Sequence, residues 1–206
     1  MYKVSILLSS ALIVASCESK PPETGTLVIK NVNVVDVRAG QLMAKPKDVL
    51  IDGERIRKII DSGTLKFEES ITVQDGQNKF LIPGMWDMHA HPDDPEIWRM
   101  NPTDDEKDKL LTLLVMHGVT GIRDMAGDLK LANRWKKSID NGELIGPEIF
   151  AAGPLIDGPN PMWDGSVGIN GPDNVRQVVD SLIADGVDFL KVYSLLPEDI
   201  YFELQE

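Results

Sequence analysis

The sequence predicts an α/β fold: the first half of a parallel (β/α)8 TIM-type barrel, preceded by a small β segment. Three observations carry this expectation. From Phe80 onward, strand-like and helix-like segments alternate four times. Before Phe80, short β-branched runs are separated by Gly and Asp turns. Two histidines stand one residue apart at the end of the first strand of the alternating region, where a barrel places its chemistry.

The N-terminus reads as an export signal. Lys3 precedes an apolar stretch from Val4 to Val14, and the small residues Ala15 and Ser16 lead to Cys17. This is too short to span a bilayer as a mature helix, which takes about 20 apolar residues. Val14-Ala15-Ser16-Cys17 resembles the lipobox of bacterial lipoproteins, which implies a signal peptide over residues 1–16 and lipidation of Cys17. A plain secretory signal with an incidental cysteine is the alternative. Several acyl chains on one cysteine would hold the protein on a membrane of the bacterial cell envelope, each buried CH₂ adding about 0.8 kcal/mol. Residues 17–24, with Lys20, Pro21 and Pro22, then form a tether. Cys17 is the only cysteine, so no internal disulfide framework exists. The net charge is -12, or -13 once Lys3 leaves with the leader, which excludes nucleic acid as an expected partner.

Residues 25–80 alternate between apolar and polar positions through Leu27, Ile29, Val32, Val34 and Val37, then Val49, Ile51, Ile56, Ile59 and Ile60. Breaks at Arg38-Ala39-Gly40, Asp52-Gly53 and Asp61-Ser62-Gly63 give strands joined by turns, with a hairpin at Ile51-Asp52-Gly53-Glu54. This is a small antiparallel unit.

Residues 81–206 carry the strand-helix units. Leu81–His91 is the first strand, with Pro83-Gly84 as a turn inside its start, and Asp104–His117 is a helix with Leu110, Leu111, Leu113, Leu114 and Val115 on its apolar face. His117 closes that helix before Gly118, where the dipole favours a cation and glycine caps the end. Val119–Arg123 is the second strand, followed by a helix over Asp128–Asn141. Ile149–Ala152 is the third, followed by a helix over Pro172–Asp185 that buries Val175, Val178, Val179, Leu182 and Ile183. Val187–Tyr193 is the fourth, and Pro197 takes the first position of a last helix. Such alternation implies a parallel sheet with right-handed crossovers. An open doubly wound sheet is the competing architecture, but Ala90-His91-Pro92-Asp93-Asp94-Pro95 stands where a dinucleotide binder has its glycine-rich turn.

On a strand, Asp87, His89 and His91 share one face, so two imidazoles can converge on one divalent ion. A bare His-x-His is weak evidence. Its weight here comes from composition, since the chain has 3 His and two of them fall in this segment. Lys191 shares a face of the fourth strand with Phe189 and Tyr193. A lysine that snorkels to water is one outcome. The other is an amine held neutral by burial, able to react with carbon dioxide to give a carbamate, an anionic oxygen ligand that can bridge two metals. Arg123 and Asp124 end the second strand and suggest an ion pair.

Pro83-Gly84 followed by Asp87-Met88-His89-Ala90-His91, the preceding β segment, Gly118–Asp124 and Asp188–Tyr193 together resemble the metal-dependent amidohydrolase superfamily. The branch most similar contains imidazolonepropionase-like proteins and carboxylated-lysine dipeptidases of the prolidase type. The resemblance implies a distorted (β/α)8 barrel with a small β-sandwich, to which residues 25–80 would contribute. It implies His89 and His91 as ligands of one or two divalent ions, zinc above others, and Lys191, carboxylated, as the bridge. Asp87 is expected in support of the ligands, and the catalytic aspartate on an eighth strand beyond this chain. The segment Pro154–Gly165 is long enough to cover the site mouth or to be a plain surface excursion, and Trp163 and Tyr193 are candidate substrate-binding residues. A complete barrel takes about 250 residues, so the chain is expected to be an N-terminal fragment, inactive alone, with homo-oligomerisation open to it. For the intact protein the expected reaction is hydrolysis of an amide, a dipeptide or a cyclic amide. The alternatives are a non-catalytic envelope lipoprotein that keeps the fold as a binding surface, and a deaminase or deacetylase of the same superfamily.

Overall fold

The computed structural model describes residues 21–94 and 102–205. The leader and Cys17 lie outside the described residues. Two compact units divide between Pro83 and Gly84.

The first unit is one sheet built on β1 (Leu27–Asp36), with β2 (Gln41–Leu42), β3 (Lys47–Asp52), β4 (Arg55–Asp61), β5 (Thr72–Asp75) and β6 (Phe80–Leu81). The expected hairpin is present: β3 and β4 pair antiparallel with Asp52 opposite Arg55 across Gly53-Glu54. The sheet is not wholly antiparallel, because β5 and β6 run parallel to β1. Leu81 therefore differs from its expected place. It pairs with Val34 in this sheet, and the next strand starts only after Pro83, which has no N–H to give a ladder. A register shift after Ile29 breaks β1, and the freed Asn31 N–H donates to the buried Asp48 carboxylate at 2.9 Å.

In the second unit β7 (Met85–Ala90), β8 (Val119–Asp124) and β9 (Glu148–Ala151) form a parallel sheet in that order. Helix α1 (Asp104–Met116) starts at a capping box: the Glu106 N–H donates to Thr103 Oγ1 and the Thr103 N–H donates to the Glu106 carboxylate. It ends at His117, with Gly118 at φ +86. Helix α2 (Leu129–Asp140) is capped by Asp128, whose carboxylate accepts from Lys130 N–H and Leu131 N–H. Leu111, Ala132 and Trp135 of the helices bury Ile122, Ile149 and Ala151 of the sheet. On the sheet's other face Trp86, Met88 and Phe150 stay partly exposed, the two rings 5.7 Å apart.

Two short strands, β10 (Ile156–Asp157) and β11 (Val167–Gly168), pair parallel and close the base of the 158–166 loop. A 3-10 turn (Pro172–Asn174) leads into α3 (Val175–Asp185), and α4 (Glu198–Glu203) follows Pro197, which is the cap and not the first helical residue. Ile183, expected to be buried, is 62% exposed.

The fourth strand did not form as expected. Residues 187–193 bend at Asp188-Phe189 and make a single bridge, Val192 to Ile156. Ile156 N–H donates to Lys191 O, Tyr193 N–H to Ile156 O, and Asp188 N–H to Ala151 O. The Asp188 carboxylate takes the Ala151 N–H at 2.7 Å and pairs with Lys136, so a side chain substitutes for part of the ladder. The facing is as expected even so: Leu190 and Val192 pack on the core of Ile156, Val175, Leu182 and Ile200.

Candidate metal centre

A cavity of about 650 Å³ opens at the C-terminal ends of the parallel strands. Its walls include His89, His91 and Lys191. His89 is near the end of β7, and His91 is the first residue beyond it in the loop. The β7–β8 register shifts between Asp87 and Ala90, so the strict alternation expected through His91 does not hold. The two imidazoles nonetheless stand with centroids 5.1 Å apart and planes tilted by 56°. His91 Nδ1 lies 3.4 Å from Ala126 O. Asp87 is not in the cavity wall; its carboxylate accepts the His89 backbone N–H at 3.0 Å. Lys191 is half-buried, and its Nζ makes no hydrogen bond or ion pair among the described residues.

The donor set is two imidazoles and one amine. Among the described residues no group of three or more His, Cys, Asp or Glu side chains is placed to hold a metal. A catalytic zinc takes three protein ligands and leaves one position open. The set fits a divalent ion only in part: His89 and His91 supply two nitrogens, and a third ligand from these residues requires Lys191 to gain an oxygen donor.

Trp163 and Tyr193 also line the cavity, edge against face at 6.4 Å and 77°. Asp157 places them. Fully buried, it accepts from Met162 N–H at 3.1 Å, one residue before Trp163, and from Leu195 N–H at 2.7 Å, two beyond Tyr193. Gly158 follows because a Cβ there would stand 2.1 Å from Leu195 O.

The expected ion pair of Arg123 with Asp124 is absent. Neighbours on a strand point to opposite faces; Arg123 lies over the Phe189 ring at 4.5 Å, and Asp124 turns inward, 2% exposed. Asp124 meets Asp93, a cavity residue with no periodic signal in the sequence. Burial first, and then the Asp93 charge, push the Asp124 carboxyl up to about 7, against the Ala126 backbone hydrogen bond and the Lys136 charge.

The fold matches solved structures. Molinate hydrolase superposes with a TM-score of 0.74 at 19% identity, over 87% of this chain and 50% of that one. Phenylurea hydrolase B gives 0.68 at 22%, over 82% and 45%. A Xaa-Pro dipeptidase with methionine bound in its active site gives 0.65 at 22%, over 81% and 46%. The chain shares its fold with part of each of these structures. The chain spans about half the length of these solved structures. In sequence, 66 residues are 35% identical to 5-methylthioadenosine/S-adenosylhomocysteine deaminase of Carboxydothermus hydrogenoformans, covering 32% of this chain and 15% of that protein. No protein-family model matches the chain.

Proposed function

We propose that this chain supplies the first metal-binding half of a hydrolase that acts on carbon-nitrogen bonds, in an amide, a dipeptide or a cyclic amide. In this proposal residues 81–206 are the first four units of a (β/α)8 barrel, residues 25–80 belong to a β-sandwich, and Cys17 anchors the protein to the cell envelope. The observation that carries the functional reading is the meeting of His89, His91 and Lys191 in one cavity at the strand ends. The shared fold with a molinate hydrolase, a phenylurea hydrolase and a dipeptidase supports it.

His89 and His91 would hold one divalent ion, zinc being suited to imidazole donors. Lys191 Nζ, as a free amine, would attack the carbon of carbon dioxide, forming an N–C bond and releasing one proton. The resulting carbamate supplies the missing oxygen ligand. A divalent ion bound there would contribute Lewis acidity and an activated water. The chain's own residues do the positioning. With Nδ1 donating to Ala126 O, His91 keeps Nε2 as its lone-pair nitrogen. Asp87 fixes the backbone at His89 through its N–H.

Metal content measured by plasma mass spectrometry on the full chain tests the assignment. Zinc should bind, His89→Ala and His91→Ala should each lower its affinity 10-fold or more, and Lys191→Ala should abolish any second equivalent. Metal content unchanged by Lys191→Ala would sink the carbamate. In the intact protein, stoichiometric zinc with no turnover on an amide panel would favour a non-catalytic envelope protein. The deaminase match is the one observation favouring a second reading, C–N hydrolysis at an aminated ring. Ammonia release from aminopurine nucleosides, with no cleavage of amides, would select it.

A further inference from the structure

Four carboxylates, Asp93, Asp94, Asp128 and Asp164, line the cavity together with a single amino group, that of Lys191. Three of them are occupied within the fold. Asp93 accepts from Asp128 N–H at 2.8 Å, Asp128 caps α2, and Asp94 has its own partner. Asp164 is exposed and makes no hydrogen bond or ion pair among the described residues. Its chain neighbour Trp163 is 45% exposed and lines the same cavity, so one indole and one carboxylate of the 158–166 loop both reach its wall. The loop that presents them is held at its base. Val167 N–H donates to Leu155 O at 2.7 Å, Ile169 N–H to Asp157 O at 2.9 Å, and the Asp157 carboxylate fixes Met162. Pro159 and Pro161 further restrict it.

We propose that Trp163 and Asp164 select substrates that carry a cationic group, an ammonium or guanidinium, beside the bond to be cleaved. This rests on the hydrolase reading of the same cavity. An aromatic face attracts a cation through its quadrupole, and a carboxylate beside it adds charge attraction. A cavity whose wall carries more carboxylates than cations concentrates cationic ligands and disfavours anions. A loop already in place has little ordering left to lose on binding. The overall negative charge of the chain carries none of this argument; the meeting of one carboxylate without a partner among the described residues and one exposed indole in the same cavity wall does.

The test compares two ligands of one shape whose α-amines are blocked, Nα-acetyl-L-arginine β-naphthylamide and Nα-acetyl-L-citrulline β-naphthylamide, so that the guanidinium is the single cation that distinguishes them, by calorimetric titration on the full chain treated with chelator. Turnover is assayed separately, with zinc restored, on the intact protein of which this chain is proposed to be the first half. The arginine compound should bind about 10-fold more tightly, combining cation-π and charge attraction. Asp164→Asn and Trp163→Leu should each reduce that preference several-fold with the thermal midpoint unchanged, and raised salt should shrink it. Equal binding of the two compounds, or binding of neither, overturns the proposal. Preferential binding without hydrolysis sustains the selectivity and counts against the hydrolase reading. Hydrolysis of both at equal rate does the reverse.

Discussion

Asp93 and Asp124 turn carboxylates toward the same glycine. A Cβ on Gly127 would stand 2.4 Å from Asp93 Oδ1 and 3.2 Å from Asp124 Oδ2, so the position takes only glycine. The Oδ1 atoms of both residues are buried without a partner among the described residues. Two such groups cannot both ionise cheaply. Asp124, the more buried, is the one that keeps its proton.

The consequence is a stability that depends on pH. With the Asp124 carboxyl raised to about 7 in the folded state, that state holds a proton which the unfolded chain releases near 4. Stability therefore falls as pH rises from about 4 to about 7 and then levels, by about 4 kcal/mol at most. Asp124→Asn keeps the shape and cannot ionise. Urea unfolding should show this variant close to the parent at pH 4.5 and more stable by about 2 kcal/mol or more at pH 8. Equal stabilities at pH 8 would mean that Asp124 ionises without cost.

A second prediction concerns the contact of α1 with α2. Asp108 accepts from Arg134 through both terminal nitrogens, at 3.2 and 2.8 Å, and from Trp135 Nε1 at 2.7 Å. The Arg134 hydrogen bond is the main cause that lowers the Asp108 carboxyl below the usual carboxylate range, with burial opposing it. Trp135 is fully buried, so removing its acceptor strands an indole N–H. Asp108→Ala should cost about 2–4 kcal/mol. Asp108→Asn, which retains one acceptor oxygen for the indole, should cost about half of that. A double-mutant cycle with Arg134→Met separates the two bonds; an Asp108→Ala loss under about 0.5 kcal/mol would show that the indole finds another partner.

Sequence patterns recorded faces better than hydrogen-bond partners. The Gly53 hairpin was legible because it is local, complete within four residues. The facing of Leu190 and Val192 was legible from alternation, yet the ladder around them was not, because Asp188 takes a backbone partner 37 residues away. Leu81 went to the wrong sheet for a similar reason: an apolar residue beside Pro83 fits either strand, and only the pairing with Val34 decides. At the cavity, strand-end position made His89, His91 and Lys191 legible as neighbours. Asp93 and Asp157 were not, since their roles depend on contacts 35 and 38 residues distant that leave no periodic trace.

Asp157 yields the last prediction, because its two oxygens serve two different segments. Oδ1 accepts from Leu195 N–H at 2.7 Å and Oδ2 from Met162 N–H at 3.1 Å. An asparagine there has one acceptor oxygen and one donor nitrogen, so one of the two backbone N–H groups must face another donor. The shorter bond is the one to be kept. In Asp157→Asn, amide exchange should therefore accelerate at Met162 while Leu195 stays protected, and the 158–166 loop should become the first site of limited proteolysis. Asp157→Ala removes both acceptors and should expose both amides, at a cost of about 2–4 kcal/mol for two bonds to a buried charge. Trp163 would then lose its fixed approach to Tyr193, which near-ultraviolet circular dichroism would register as a weakened aromatic band. Protection at both amides in the alanine variant would mean that the loop is held from its β10–β11 base alone and that Asp157 has no part in presenting Trp163 to the cavity.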